Sequence, residues 1–247
     1  MSGRLEGKRC LVTGGGSGIG RAVARRFAEE GALVVVSGRR VDALEETSAG
    51  VAPIRIFAGD ASQAEDARGM VEAVVDRHGG LDVLFHAAGI LRRNERFDET
   101  TEDEWRHDVD VNLTGTFQVC RFAIPHLRDS RGTIVLVASQ LAHISAPGYA
   151  TYTATKHAAL GLVRSLALDL GPEGVRVNAL SPGVVETDMA YIGRDFAAMR
   201  EKVAKTIPLR RVGEPGDMTG PAVFLASEDS AWMTGQSLVV DGGFTAQ

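Results

Sequence analysis

Short apolar runs alternate with stretches of helical spacing along nearly the whole chain, and that alternation constrains the fold more than any other feature. Apolar runs at 8–13, 32–37, 53–57, 81–86, 133–138, 175–180 and 237–240 read as strands. The run 32–37, Ala-Leu-Val-Val-Val-Ser, is apolar almost to its end, as a parallel strand covered on both faces must be. Between the runs lie helical patterns. Residues 19–30 place Val23, Ala24, Phe27 and Ala28 on one face, 41–49 form a short helix, and 64–78 stop at Gly79-Gly80. Thr101 with Glu104 three residues later predicts a capping box, opening a long helix that ends just before Pro125. Residues 151–170 form a helix stopped by Gly171-Pro172, and 215–226 form another, while 183–207 read as less regular. Repeated strand-helix-strand units predict an α/β fold, a doubly wound parallel sheet of about seven strands with helices on both faces. Ligands bind outside the carboxyl ends of such strands, where Thr13, His86, Ser139 and Ser181 are expected.

No linker, low-complexity stretch or internal repeat interrupts the 247 residues, so 1–247 is read as a single domain. A net charge of −5 argues against nucleic acid as a main partner. No apolar run approaches the roughly 18 residues of a membrane helix, and the first residues do not resemble a signal peptide. Cys10 and Cys120 fall in predicted core elements, which suggests reduced thiols and a cytoplasmic location. The six histidines show no spacing that would hold a metal.

Two local patterns carry chemistry. Thr13-Gly14-Gly15-Gly16-Ser17-Gly18-Ile19-Gly20 follows the first strand and opens a helix. Residues without Cβ let backbone approach a pyrophosphate, and the helix offers its N-terminal N–H groups and dipole. Tyr152 and Lys156 stand four apart on a predicted helix and share a face. A free tyrosine titrates at about pH 10, and a neighbouring ammonium favours the phenolate. The pair makes a general acid/base, and a nucleotide cradle in the same chain suggests that its proton accompanies a hydride.

The chain resembles the short-chain dehydrogenase/reductase family in its compact form, over nearly its whole length. Thr13, Gly14, Gly18 and Gly20 match the glycine pattern. Asn112, Ser139, Tyr152 and Lys156 match the catalytic tetrad. Pro182, Gly183 and Thr187 match the motif after the sixth strand, and Thr234-Gly235-Gln236 with Val240-Asp241-Gly242-Gly243 match the C-terminal signature. The resemblance implies a Rossmann-type domain that moves a hydride between a nicotinamide cofactor and a secondary alcohol or ketone. Tyr152 would give its proton to the carbonyl oxygen in reduction, and Ser139 would orient that oxygen. Lys156 would hold the nicotinamide ribose and lower the tyrosine pKa. Asn112 would position a water linking Lys156 to solvent. It also implies cofactor contacts from Gly14, Ser17, Gly18, Ile19, Gly20, Asp60, Ala61, Ala88, Tyr152, Lys156, Pro182, Val185 and Thr187. Asp60 reads equally as an ordinary helix-capping aspartate.

NAD-preferring relatives carry an acid at the end of the second strand, where this chain has Gly38 followed by Arg39 and Arg40. Arg39 is expected to fork onto a 2′-phosphate, which favours NADP(H) over NAD(H). Ser17 stands where many NADP-type relatives carry a second basic residue. His86-Ala87-Ala88-Gly89 departs from the family's asparagine-containing motif, and a structural role is expected for His86. Residues 183–207, with Val184, Met189, Tyr191, Ile192, Phe196 and Met199 around Arg194 and Asp195, are read as a lid over an apolar or mixed small molecule. Arg92, Arg93 and Arg96 belong either to a solvated loop or to a surface that meets an acidic substrate. Reduction of a 3-oxoacyl group on acyl carrier protein therefore remains an alternative, and a non-catalytic dinucleotide sensor or scaffold is the alternative of another class. By resemblance the chain is a homotetramer, paired through the helices beginning near Glu102 and Thr151 and through the last helix and strand. Phe117, Leu160, Leu166 and Leu238 would serve either those contacts or the monomer core.

Overall fold

The computed structural model describes residues 3–51, 54–93, 96–191 and 196–247, with backbone only at 191 and 196–198. Among the described residues seven strands form one sheet: β1 (Arg9–Thr13), β2 (Leu33–Gly38), β3 (Ile54–Ala58), β4 (Val83–His86), β5 (Thr133–Val137), β6 (Arg176–Pro182) and β7 (Ser237–Val240). Their order is β3-β2-β1-β4-β5-β6-β7, and every pairing is parallel. The helices are α1 (Gly18–Glu29), α2 (Val41–Ser48), α3 (Ala64–His78), α4 (Glu102–Val109), α5 (Gly115–Ser130), α6 (Ala150–Leu170), α7 (Asp188–Tyr191), α8 (Phe196–Thr206) and α9 (Thr219–Ala226).

Successive strand residues point to opposite faces, so each strand feeds two cores. Leu11, Val35, Leu84, Ile134 and Val177 join α3, α5 and α6 through residues such as Met70, Val74, Val119, Leu127 and Val163. Val12, Val34, Phe85, Val135 and Leu180 join α1 and α9 through Val23, Phe27, Ala222 and Val223. Phe27 and Phe85 are fully buried and meet edge to face, ring centroids 5.8 Å apart. Such a pair contributes about 1 kcal/mol beyond the area it buries.

The chain winds outward from β1 through β2 to β3, then crosses to β4 and winds the other way. The reversal lies between β1 and β4, where Thr13 pairs directly with His86. Their carboxyl ends diverge there into two turns, and the crevice between them is where this class of sheet takes a ligand.

Three elements depart from the sequence reading. The capping box forms, with Glu104 N–H donating to Thr101 and the Glu104 carboxylate accepting from Thr101 N–H. The helix it opens does not stop before Pro125, which lies inside α5. Val119, Cys120, Ala123 and Leu127 form one buried stripe on both sides of the proline, and their burial outweighs the single missing N–H. Residues 215–226 divide into a short 3-10 turn, Pro215–Met218, and α9. In 183–207 the backbone forms α7 and an eleven-residue α8, more regular than expected. Ile192, Arg194 and Asp195 of the expected lid, and Pro53 of the third predicted strand, lie outside the described residues, as do the side chains of Tyr191 and Phe196.

Candidate active site

The turn from β1 into α1 is held open by glycine. Gly14 has φ +66°, and a Cβ there would stand 2.6 Å from Ala88 N in the turn after β4. Ser17 precedes α1 without a side-chain cap, so the first N–H groups of α1 face the crevice unclaimed by that side chain. Gly18 approaches the turn after β6, where an added Cβ would lie 2.9 Å from Thr187 Cγ2. Three strand ends therefore converge on one cavity of about 480 Å³.

Gly14, Ser17, Gly18, Ile19, Gly20, Arg39, Asp60, Ala61, Ala88, Pro182, Val185 and Thr187 all line that cavity, together with Ser139, Tyr152 and Lys156. Asn112 alone among the expected site residues stands behind the wall. A five-residue π-helical turn, Asp110–Thr114, joins α4 to α5 and turns Asn112 inward. Its Oδ1 accepts from Ile90 N at 2.8 Å, and its Nδ2 donates to Ile90 O at 3.0 Å and to Thr155 Oγ1 at 3.3 Å. A Cβ on Gly89 would touch both Asn112 Oδ1 and Lys156 Nζ, at 3.1 and 3.6 Å.

Ser139, Tyr152 and Lys156 are buried. Ser139 follows β5, and its Oγ accepts from Leu141 N at 3.1 Å, which fixes the turn. Lys156 Nζ lies 5.6 Å from the Tyr152 ring centroid and donates to Val137 O at 2.8 Å. Burial pushes the Tyr152 phenol up to about 12, against a smaller downward pull from Ser139. Burial also lowers Lys156 to about 8. In this structure desolvation sets the phenol, and the downward pull on it comes from Ser139 rather than from the lysine charge expected to lower it. The phenol stays protonated at neutral pH, a donor rather than an acceptor.

His86 is buried, and its Nδ1 lies 2.8 Å from Thr13 Oγ1. Thr13 Oγ1 also accepts from Ala88 N at 3.3 Å, so His86 ties β4 to β1 and Thr13 in turn reaches the turn after β4. Burial, and then the Lys156 charge, push its pKa down to about 3. Asp60 Oδ1 accepts from Ser62 N and Ser62 Oγ at 2.9 and 2.8 Å, forming the turn before α3. Its Oδ2 lies 4.0 Å from Arg39 Nη1. Tyr149 is pocket wall, and Arg93 joins it there. Arg92 instead pairs with Glu104 and with buried Asp108, and Arg96 with Asp98 and Glu99. The sequence reading missed Gln140, a buried wall residue beside Ser139. Only that adjacency could have pointed to it.

A family model described as enoyl-(acyl carrier protein) reductase matches residues 14–245. The chain is 38% identical to a 3-oxoacyl-(acyl-carrier-protein) reductase of Chlamydia pneumoniae, over 98% of each chain. It is 39% identical to a glucose 1-dehydrogenase of Gluconobacter oxydans, over 98% of this chain and 93% of that one. Its fold superposes on the crystal structure of a putative short-chain alcohol dehydrogenase from Sinorhizobium meliloti with a TM-score of 0.92, at 34% identity and 98% coverage of both.

Proposed function

Since the chain belongs to the short-chain dehydrogenase/reductase family of NAD(P)-linked oxidoreductases, we propose that this cavity interconverts a free secondary alcohol and its ketone. The observation that carries the reading is that Ser139, Tyr152 and Lys156 line the same cavity as the glycine turn. The cradle suits a dinucleotide: the turn leaves no room for side chains, and the α1 N–H groups suit a pyrophosphate. Gly14, Ser17, Gly18, Ile19 and Gly20 would hold it, with Asp60 and Ala61 at the adenine and Ala88, Pro182, Val185 and Thr187 as further contacts. When bound, a nicotinamide supplies or accepts the hydride.

The protein's own residues handle the proton. Tyr152 donates it to the carbonyl oxygen in reduction and recovers it in oxidation. Ser139 directs its hydroxyl at the same oxygen and holds the carbonyl in register. Lys156 stabilises negative charge on the phenol oxygen as the proton leaves. Asn112, beside Lys156 and bonded to Ile90, holds the π-helical turn and would anchor a water that passes the proton outward. Val184, Met189 and Ala190, the part of the expected lid that lines the cavity, would cover the substrate.

Nicotinamide absorbance against a panel of alcohols and ketones, with NADP(H) and NAD(H), tests the reading. Turnover that disappears in Tyr152→Phe supports it; turnover that survives removes the tyrosine from the chemistry. The runner-up is a thioester carried on acyl carrier protein, which the Chlamydia relative brings into view. The pairing of Arg92 and Arg96 with their own acids reduces the positive charge those two residues offer an acidic carrier, while Arg93 stands at the cavity wall.

The absence of an acid at Gly38 and the position of Arg39 favour NADP(H). Arg39→Ala is expected to weaken NADPH about tenfold or more, with little effect on NADH, because a charge-assisted bond to the extra phosphate is lost. Equal Kd values for the two cofactors in the parent protein would overturn the preference. A homotetramer is the expected assembly, in a cytoplasmic setting that suits the free, buried Cys10 and Cys120. Phe117, half exposed on α5, is available for such a contact, whereas Leu160 is spent in the monomer core. Light scattering at the mass of a monomer would contradict the tetramer.

A further inference from the structure

Gly14, Gly15 and Gly16 stand in a row in the turn from β1 into α1. Glycine loses more conformational freedom on folding than any other residue, so such a turn has little shape of its own. Hydrogen bonds from outside the turn supply it. Gly15 N–H donates to Ser37 O at the end of β2, 3.0 Å away. Gly15 O accepts from Thr47 Oγ1 at 2.8 Å, and Gly16 O accepts from Arg21 Nη2 at 2.5 Å. Thr47 belongs to the last turn of α2 and is fully buried. Its hydroxyl also lies 3.0 Å from Ala43 O and accepts from Arg21 Nε at 3.1 Å, so the two side chains act as one clamp. Arg21 reaches Glu46 Oε2 as well, at 2.8 Å. One helical turn on, Arg25 donates to Glu46 O and Thr47 O at 2.6 and 3.1 Å, which satisfies carbonyls that the end of α2 leaves open.

We propose that Thr47 and Arg21 are positioning residues for the phosphates of the dinucleotide: they hold the carbonyls of Gly15 and Gly16 against α2, so that the N–H groups of Gly16 and Ser17 face the cofactor. The inference rests on the dinucleotide reading of the cradle and deepens it. A trans peptide is planar, with its C=O and N–H on opposite sides. Fixing Gly15 O on Thr47 therefore turns Gly16 N–H away from α2, and fixing Gly16 O on Arg21 does the same for Ser17 N–H. Gly14, Ser17 and Gly18 line the cavity, whereas α2 packs behind the turn, where a Cβ on Gly16 would stand 3.2 Å from Ala43 Cβ. An N–H aimed at a phosphate oxygen attracts it, and a carbonyl in its place repels it. Without the clamp a glycine peptide rotates at little steric cost, and binding energy is then spent on ordering the turn. Neither Thr47 nor Arg21 lines the cavity, so both act through the backbone.

The test is calorimetric titration of NADPH, NADH and adenosine, which needs no turnover. Thr47→Val keeps the branched shape and removes the hydroxyl, and Thr47→Ser restores it. For each dinucleotide that the parent protein binds, Kd is expected to rise about tenfold to a hundredfold in Thr47→Val and to return to within about threefold in Thr47→Ser. Adenosine has no phosphate to receive the N–H groups, so its Kd is expected to change less than about twofold. The thermal midpoint of the unliganded protein reports whether Thr47→Val folds; if it does not, Arg21→Met, a change nearer the surface, carries the same expectation. Dinucleotide affinity equal to that of the parent overturns the assignment. So does a parallel loss for adenosine, which a general loosening of the fold would give. A parent protein that binds neither dinucleotide overturns the cofactor reading itself, and the clamp falls with it.

Discussion

Tyr152→Phe is expected to lower kcat by about a hundredfold to ten-thousandfold while cofactor Kd and thermal midpoint stay near those of the parent protein. The loss follows from the acid–base role, since a phenyl ring can neither give nor receive the proton. The fold should tolerate the change, because the ring stays buried and Ser139 keeps its bond from Leu141 N without the phenol. The two reaction directions should respond differently to pH. Burial holds the phenol up at about 12, so below that value it is ready to donate in reduction. Oxidation needs the phenolate, and its rate should climb with pH through the neutral and mildly alkaline range. A positively charged partner in the cavity would move that rise to lower pH. Turnover above a tenth of the parent rate in Tyr152→Phe would remove the tyrosine as the proton donor. An oxidation rate independent of pH would remove the phenolate requirement.

The sheet was legible because its strands are covered on both faces. Leu-Val-Val-Val in β2 admits no amphipathic reading, and Gly79 at φ +77° ends α3 where the sequence stops. The order of strands was not written in any one segment; it follows from right-handed crossovers and the reversal at β4. Pro125 misled because a local rule about a missing N–H was set against burial of Ala123 and Leu127, which only the tertiary structure reveals. The π-helical turn at Asp110–Thr114 was hidden for a related reason. It inserts one residue into an otherwise continuous helix, and its driving force is the bonding of Asn112 to Ile90, a loop 22 residues away. Asn112 could be named from a motif, but its partners could not.

The electrostatics were the least legible part of the site. Four-residue spacing correctly places Lys156 near Tyr152, and it says nothing about solvent. With both side chains buried, loss of hydration raises one pKa and lowers the other. Gln140 was overlooked because glutamine after a serine has no pattern of its own. Its place in the cavity wall is a property of the fold.

Lys156→Met is expected to separate activity from stability. Turnover should fall by a factor on the scale of the tyrosine substitution, because the phenol oxygen loses the cation that stabilises its charge. Stability should move the other way below about pH 8. Lys156 is held from its ordinary 10.5 to about 8 by burial, which corresponds to about 3 kcal/mol spent on keeping an ammonium out of water. Methionine removes that cost, partly offset by about 1–3 kcal/mol for Val137 O, which loses its donor. The pH dependence fixes the origin. Between about 8 and 10.5 the unfolded chain binds the proton that the folded one has released, so the lysine's contribution makes the parent protein more stable as pH rises. Lys156→Met lacks that gain. Cys10 and Cys120 also titrate at high pH, but they are common to both proteins and cancel in the difference, while Tyr152, held up at about 12, stays protonated in the folded chain across this interval. Denaturant unfolding at pH 7 and at pH 10 measures it. The advantage of the methionine protein should shrink by about 2–3 kcal/mol across that interval. A difference that does not change with pH would mean that the buried lysine is not the strained charge in this fold.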